Sequence, residues 1–123
     1  VEVQADSLDE QGMVIDFSDL KREMEAVFKK YDHAFVCEMG DPFAELQRYA
    51  WEGGVSNARL GMDRIFEIGA PPTAECLAKH WLGELDAKIG REDGSMYVSA
   101  VTVYESSNTS ARYENHASLI PNR

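Results

Sequence analysis

The stretch from Pro71 to Ile89 constrains this chain more than any other. Behind Pro71-Pro72-Thr73, the apolar residues Ala74, Leu77, Ala78, Trp81, Leu82, Leu85 and Ile89 recur at three- and four-residue steps. That spacing puts them on one side of an α-helix. Proline is tolerated just before a helix start, threonine is a natural cap, and Gly90 is a plausible stop. Such a helix needs a sheet or another helix to cover its stripe. The sheet follows at once: Met96 to Glu105 is rich in β-branched and aromatic residues, with Val98, Val101, Thr102, Val103 and Tyr104 in a clear strand. Ser106-Ser107-Asn108 is a turn, after which Thr109 to Tyr113 returns as the antiparallel partner.

The first half repeats the pattern in reverse. Val1 to Ala5 alternates apolar and polar from the first residue, as a half-buried strand does. The chain thus begins inside a strand without an initiator Met, which reads as a trimmed, processed or fragmentary start. Asp6 to Gly12 has turn chemistry, and Met13-Val14-Ile15 is a short second strand or a strand-like lead-in. From Phe17 the period changes: Phe17, Leu20, Met24, Val27, Phe28 and Tyr31 form a helical stripe opposite Lys21, Arg22, Glu25, Lys29 and Lys30. Asp16 or Ser18 caps its first turn. Between Cys37 and Asp63 the sequence reads as loop with a short helix from Asp41-Pro42 through Trp51, and Arg64 to Ile68 alternates as a strand. The economical arrangement is α+β, with helices on one face of an antiparallel sheet. At 123 residues the chain is sized for one domain over 1–123, with a variable loop over about 38–70 and a polar tail over about 114–123.

A formal net charge of -10 works against phosphate-backbone binding, which draws its affinity from Lys and Arg. Nucleic acid and anionic membrane are therefore not expected partners. No apolar run approaches the roughly 20 residues that cross a bilayer. The two cysteines, Cys37 and Cys76, lack CxxC spacing and are too few for a disulfide framework, so a reducing cytoplasm is the expected location.

Few residues offer chemistry. Asp32-His33 is the only acid-imidazole dipeptide, just past the first helix. It reads either as a histidine meeting the helix dipole or as a proton carrier whose carboxylate fixes its tautomer. Residues at i and i+1 do not face each other on a helix. If Asp32 orients His33, the backbone must leave helical geometry there, or another group must help. Glu105 is a solvated strand end or a carboxylate able to accept two parallel hydrogen bonds from adjacent N-H donors of a guanine-like or pterin ring. Thr73 and Glu75 are a cap and a favourable first-turn charge, or part of a helix terminus that holds ligand acceptors. Cys37 and Cys76 read as small buried residues. His80 and His116 have no metal-ligand spacing, so no zinc site is expected from these residues.

Four motifs in order carry a resemblance. Gly12-Met13-Val14-Ile15-Asp16-Phe17-Ser18-Asp19-Leu20-Lys21, Tyr31-Asp32-His33-Ala34-Phe35, Pro72-Thr73-Ala74-Glu75-Cys76-Leu77-Ala78 and Val101-Thr102-Val103-Tyr104-Glu105-Ser106 resemble the 6-pyruvoyl-tetrahydropterin synthase and 6-carboxytetrahydropterin synthase family. The resemblance implies the tunnelling fold, in which subunits close antiparallel sheets into a barrel, as a homo-oligomeric trimer or hexamer. It implies a zinc-dependent carbon-carbon lyase acting on dihydroneopterin triphosphate. Asp32 and His33 match the family's proton-moving pair, Glu105 its pterin anchor, and Thr73 and Glu75 the motif lining the ring pocket. The Pro-Thr-Ala-Glu form is more similar to the bacterial 6-carboxytetrahydropterin branch, which leads to queuosine and related deazapurines.

This sequence departs from the family in lacking its catalytic Cys and its three zinc-binding histidines, which precede the strand that begins here at Val1. The expectation is an incomplete, inactive form with the first strand missing, the Val1 to Ala5 strand left without a neighbour, and zinc ligands absent. The alternatives are 6-pyruvoyl-tetrahydropterin synthase and a non-catalytic pterin- or purine-binding module that keeps Glu105.

Overall fold

The computed structural model describes residues 1–52 and 65–116, and of the side chains at 47, 48 and 50–52 nothing is stated. The described chain separates into two compact units, Val1–Phe28 with Thr73–Arg123, and Lys29–Pro72.

In the first unit β1 (Glu2–Ala5) leads through a turn to α1 (Phe17–Phe28), and after the second unit the chain returns as α3 (Ala74–Ile89), β4 (Met96–Tyr104) and β5 (Ser110–Glu114). The strands form an antiparallel sheet in the order β1-β4-β5. The Val1 to Ala5 strand therefore has a neighbour after all: Val3 sits opposite Val98 and Ala5 opposite Met96. Met13-Val14-Ile15 is no strand but a bent lead-in, tied by Asp9 N-H to the Met13 carbonyl at 2.8 Å. Its side chains, with Val1, Val3, Phe17 and Leu20, line an apolar recess. Phe17 lies on its rim and is 86% exposed, because it is the first helical residue and has no turn before it to lean on.

Of the two expected caps for α1, Asp16 is the one used, its Oδ1 accepting from Ser18 N at 2.8 Å. The helix ends at Phe28, three residues short of the expected Tyr31. Phe28 meets Trp81 of α3 edge-on, ring centroids 5.3 Å apart.

The expected stripe of α3 supplies the core, with Ala74, Ala78, Leu82, Leu85 and Ile89 buried against the buried Met96, Val98 and Val101 of β4. The apolar alternation of β4 and the helical stripe are thus two halves of one interface. Near the C-terminal end of α3, Asp86 stands where the helix dipole disfavours a carboxylate. Its Oδ1 accepts the Val98 N-H at 2.9 Å, and its carbonyl accepts from Gly90 N at 2.8 Å. A Cβ at Gly90 would lie 2.6 Å from both Asp86 oxygens, so glycine is needed for this closure. Residues 114–116 belong to the fold and not to a polar tail. Glu114 ends β5, and buried Asn115 bonds β4 through its Nδ2 to the Val98 carbonyl at 3.0 Å. The remainder of the expected tail lies outside the described residues.

The second unit holds β2 (Phe35–Glu38), α2 (Pro42–Glu52) and β3 (Ile65–Ile68). β2 and β3 pair in parallel, Val36 opposite Phe66, which adds a second, two-stranded sheet to the antiparallel one. The segment expected as loop therefore begins in a strand. α2 starts where Asp41-Pro42 suggested, with Asp41 Oδ1 accepting from Phe43 N at 2.8 Å. Phe43 packs on Phe35 at 5.0 Å, and Ala44 is fully buried. The expected strand residue Arg64 lies outside the described residues. Among the described residues no helix is long and apolar enough to cross a membrane.

Candidate active site

Past Phe28 the chain leaves helical geometry in a turn. Ala34 N-H donates to the Tyr31 carbonyl at 3.1 Å, and His33 takes a φ of 58°, the one non-glycine residue with positive φ among those described. Left-handed backbone is sterically unfavourable for a residue with a β-carbon. His33 Nδ1 lies 3.0 Å from Asp32 Oδ1, between neighbours that do not face each other on a helix. Both side chains are open to solvent, 88% and 76% exposed. A carboxylate only accepts hydrogen bonds, so one accepted from Nδ1 at this distance would leave Nε2 of the neutral ring as the basic atom.

Thr73 caps α3, with φ -78° and ψ 160° and its hydroxyl oxygen accepting from Cys76 N at 3.2 Å. Glu75 is exposed in the first turn, where the helix dipole favours its charge. Glu105 follows the last residue of β4 and opens the loop to β5. Its N-H donates to the Thr109 carbonyl at 3.0 Å, while the Ser106 and Thr109 hydroxyls meet at 2.8 Å. The backbone of Glu105 is therefore fixed and its side chain exposed. Among the described residues its carboxylate has no partner.

The course of α3 relates these three residues. Asp86 bonds Val98, while seven residues earlier Lys79 lies over Tyr113, which pairs with Val101. α3 thus runs antiparallel to β4, and its capped N-terminus with Thr73 and Glu75 is at the end of the sheet where β4 gives way to Glu105. Asp32 and His33 belong to the other unit.

The donors of the described residues do not fit a zinc centre. Among the described residues no group of three or more His, Cys, Asp or Glu is placed to hold a metal ion. His33 is against Asp32, His80 bonds Glu84 at 2.8 Å one turn along α3, and His116 meets the Tyr113 ring edge-on at 5.5 Å. Cys37 is 1% exposed inside β2, and Cys76 is half-buried in the first turn of α3.

Sequence reasoning did not single out the helix-free face of the antiparallel sheet. There Gln4, Tyr97, Ser99, Arg112 and Glu114 line a polar recess, with Tyr97 donating to Gln4 at 2.8 Å and Arg112 paired with Glu114 and Glu2. The alternating polar positions of β4 and β5 were the signal for it.

The 6-pyruvoyl tetrahydropterin synthase family profile matches residues 1–116, and the chain belongs to that family. Within it, a protein of Aquifex aeolicus (strain VF5) described as 6-carboxy-5,6,7,8-tetrahydropterin synthase is 31% identical over 117 residues, covering 93% of this chain and 68% of that protein. A crystal structure of an uncharacterized protein from Wolinella succinogenes shares the fold at a TM-score of 0.69 and 20% identity, over 92% of this chain and 73% of that one.

Proposed function

We propose that this chain carries the proton-moving and ring-anchoring parts of a pterin lyase of the 6-carboxytetrahydropterin branch, acting on dihydroneopterin triphosphate in the route to queuosine and related deazapurines. The observation that carries the reading is the Asp32–His33 contact on a left-handed turn, in a chain of this family. Asp32 holds the imidazole by Nδ1, and Nε2 exchanges a proton with the substrate side chain. A histidine suits that work because its ordinary pKa is near neutrality. Glu105 accepts the amino and ring N-H groups of the pterin through its two oxygens, a charge-assisted pair of hydrogen bonds. Thr73 and Glu75 line the ring pocket beside it, which agrees with the antiparallel course of α3 and β4. The similarity to the Aquifex protein favours the carboxy branch over the pyruvoyl one.

No step in this reading passes through zinc, because the three histidines serve separate elements. These 123 residues alone are expected to bind the pterin without converting it. In the cell the reading places the protein in the cytoplasm as a homo-oligomer. Product analysis with dihydroneopterin triphosphate tests it. Acetaldehyde release marks the carboxy branch, whereas triphosphate elimination with the side chain retained marks the pyruvoyl branch. Turnover by these 123 residues with zinc at stoichiometric occupancy overturns the inactivity, and failure to bind any pterin overturns the whole reading.

A further inference from the structure

One residue of β3 holds the turn that carries Asp32 and His33 from both sides. Ahead of the turn, the Tyr31 ring packs on Phe66 with centroids 5.1 Å apart and planes at 43°. Lys30 Nζ lies 5.2 Å from the centroid of the same tyrosine, within cation-π range. Behind the turn, Val36 stands in register with Phe66 across the parallel ladder, so the same residue anchors the chain by its backbone. Between these two attachments the Ala34 N-H closes on the Tyr31 carbonyl, and His33 is left with φ 58°.

Two facts about that histidine need a cause. A β-carbon in left-handed backbone is unfavourable, and it persists only where the surroundings fix it. An exposed ion pair such as Asp32–His33 is too weak to do so, since its side chains are 76% and 88% in solvent. The packed parts of the turn are placed to supply the fixing. Tyr31 and Phe66 are half-buried, and their contact lies one residue before the two exposed residues.

We propose that the Tyr31–Phe66 ring pair is the positioning element for His33, holding the turn in the left-handed form that brings Nδ1 to Asp32 and thereby setting which ring nitrogen carries the proton. Tyr31 acts through its neighbours and does not touch substrate. The functional meaning of this assignment rests on the proton-transfer reading of Asp32 and His33, whereas its structural content rests on the turn alone. Without the clamp the turn relaxes to negative φ, the carboxylate and imidazole part, and the neutral ring returns to the tautomer that free imidazole side chains prefer, protonated on Nε2.

Nitrogen-15 NMR of the histidine rings in the 123-residue chain, above the pH at which His33 is protonated, reads this directly. In the unmodified chain and in Tyr31→Phe, which keeps the ring, His33 is expected to be protonated on Nδ1. In Tyr31→Leu and in Phe66→Leu the signature inverts to Nε2, while the backbone amide resonances of β2 and β3 stay in place. Should Tyr31→Leu disturb those amides, Tyr31→Met keeps the side-chain volume without the ring and is read instead. An Nδ1-protonated His33 in the ring-less variants overturns the proposal, as does an Nε2-protonated His33 in the unmodified chain. Inversion in Tyr31→Leu together with full turnover by His33→Asn in a catalytically competent form would leave the positioning role standing and remove the proton-transfer reading.

Discussion

Replacing His33 by glycine and by alanine separates the cost of its backbone from the use of its ring. At φ 58° a residue with a β-carbon is held in a region that costs roughly 1–2 kcal/mol relative to ordinary helical backbone. Glycine removes that cost, and its freer unfolded chain returns about 0.5–1 kcal/mol of it. His33→Gly should therefore be about 0.5 kcal/mol more stable than the parent, within the range known for compatible glycine substitutions. His33→Ala keeps the β-carbon and loses only an ion pair 88% and 76% exposed, which is worth about 0–0.5 kcal/mol. The two variants should thus differ by about 0.5–1 kcal/mol with glycine the more stable, equivalent to about 2–5 °C in Tm for a chain of this size. Urea denaturation with linear extrapolation, at equal slope for the two proteins, measures the difference. Alanine equal to or above glycine would refute the left-handed turn, and with it the geometry that lets Asp32 reach His33.

The two ends of α3 give further tests. Thr73→Ala removes the oxygen that accepts from Cys76 N and should lower stability by about 1 kcal/mol in a thermal melt, whereas Thr73→Ser should retain most of it. Gly90→Ala puts a Cβ 2.6 Å from both Asp86 oxygens and should cost about 1–3 kcal/mol, with faster amide exchange at Val98, whose N-H the Asp86 carboxylate holds. Unchanged exchange at Val98 would show that Asp86 does not tie α3 to β4.

Much of the antiparallel unit was legible because its signals are local and agree with one another. The stripe of α3, its threonine cap, its glycine stop and the β-branched run of β4 each point to the same interface. The parallel pair was not legible, because β2 and β3 are four-residue strands whose partnership depends on the intervening chain and on Phe35 finding Phe43. Nor does residue type alone mark His33 for positive φ, since even with histidine enriched there only a few per cent of non-glycine residues adopt it. The condition under which Asp32 could orient it was that the backbone leave helical geometry, and His33 does so at φ 58°. Asp86 carried a readable warning, a carboxylate at the wrong end of a helix dipole, and its partner proved to be a backbone N-H of β4. The residue-by-residue carry-over from the family covers Asp32, His33, Thr73, Glu75 and Glu105 and leaves out the polar face around Tyr97 and Arg112, which no motif marks.

Calorimetric titration of this chain and of Glu105→Gln with a soluble pterin reads whether Glu105 anchors the ring. Losing a charge-assisted pair of hydrogen bonds, with an amide donor left facing a ring donor, should cost about 1.5–3 kcal/mol, or roughly a 10- to 100-fold weaker Kd. Saturable binding by the parent that weakens by that factor in the variant is the predicted result. Equal affinity in the two proteins, or no binding by the parent, would contradict it.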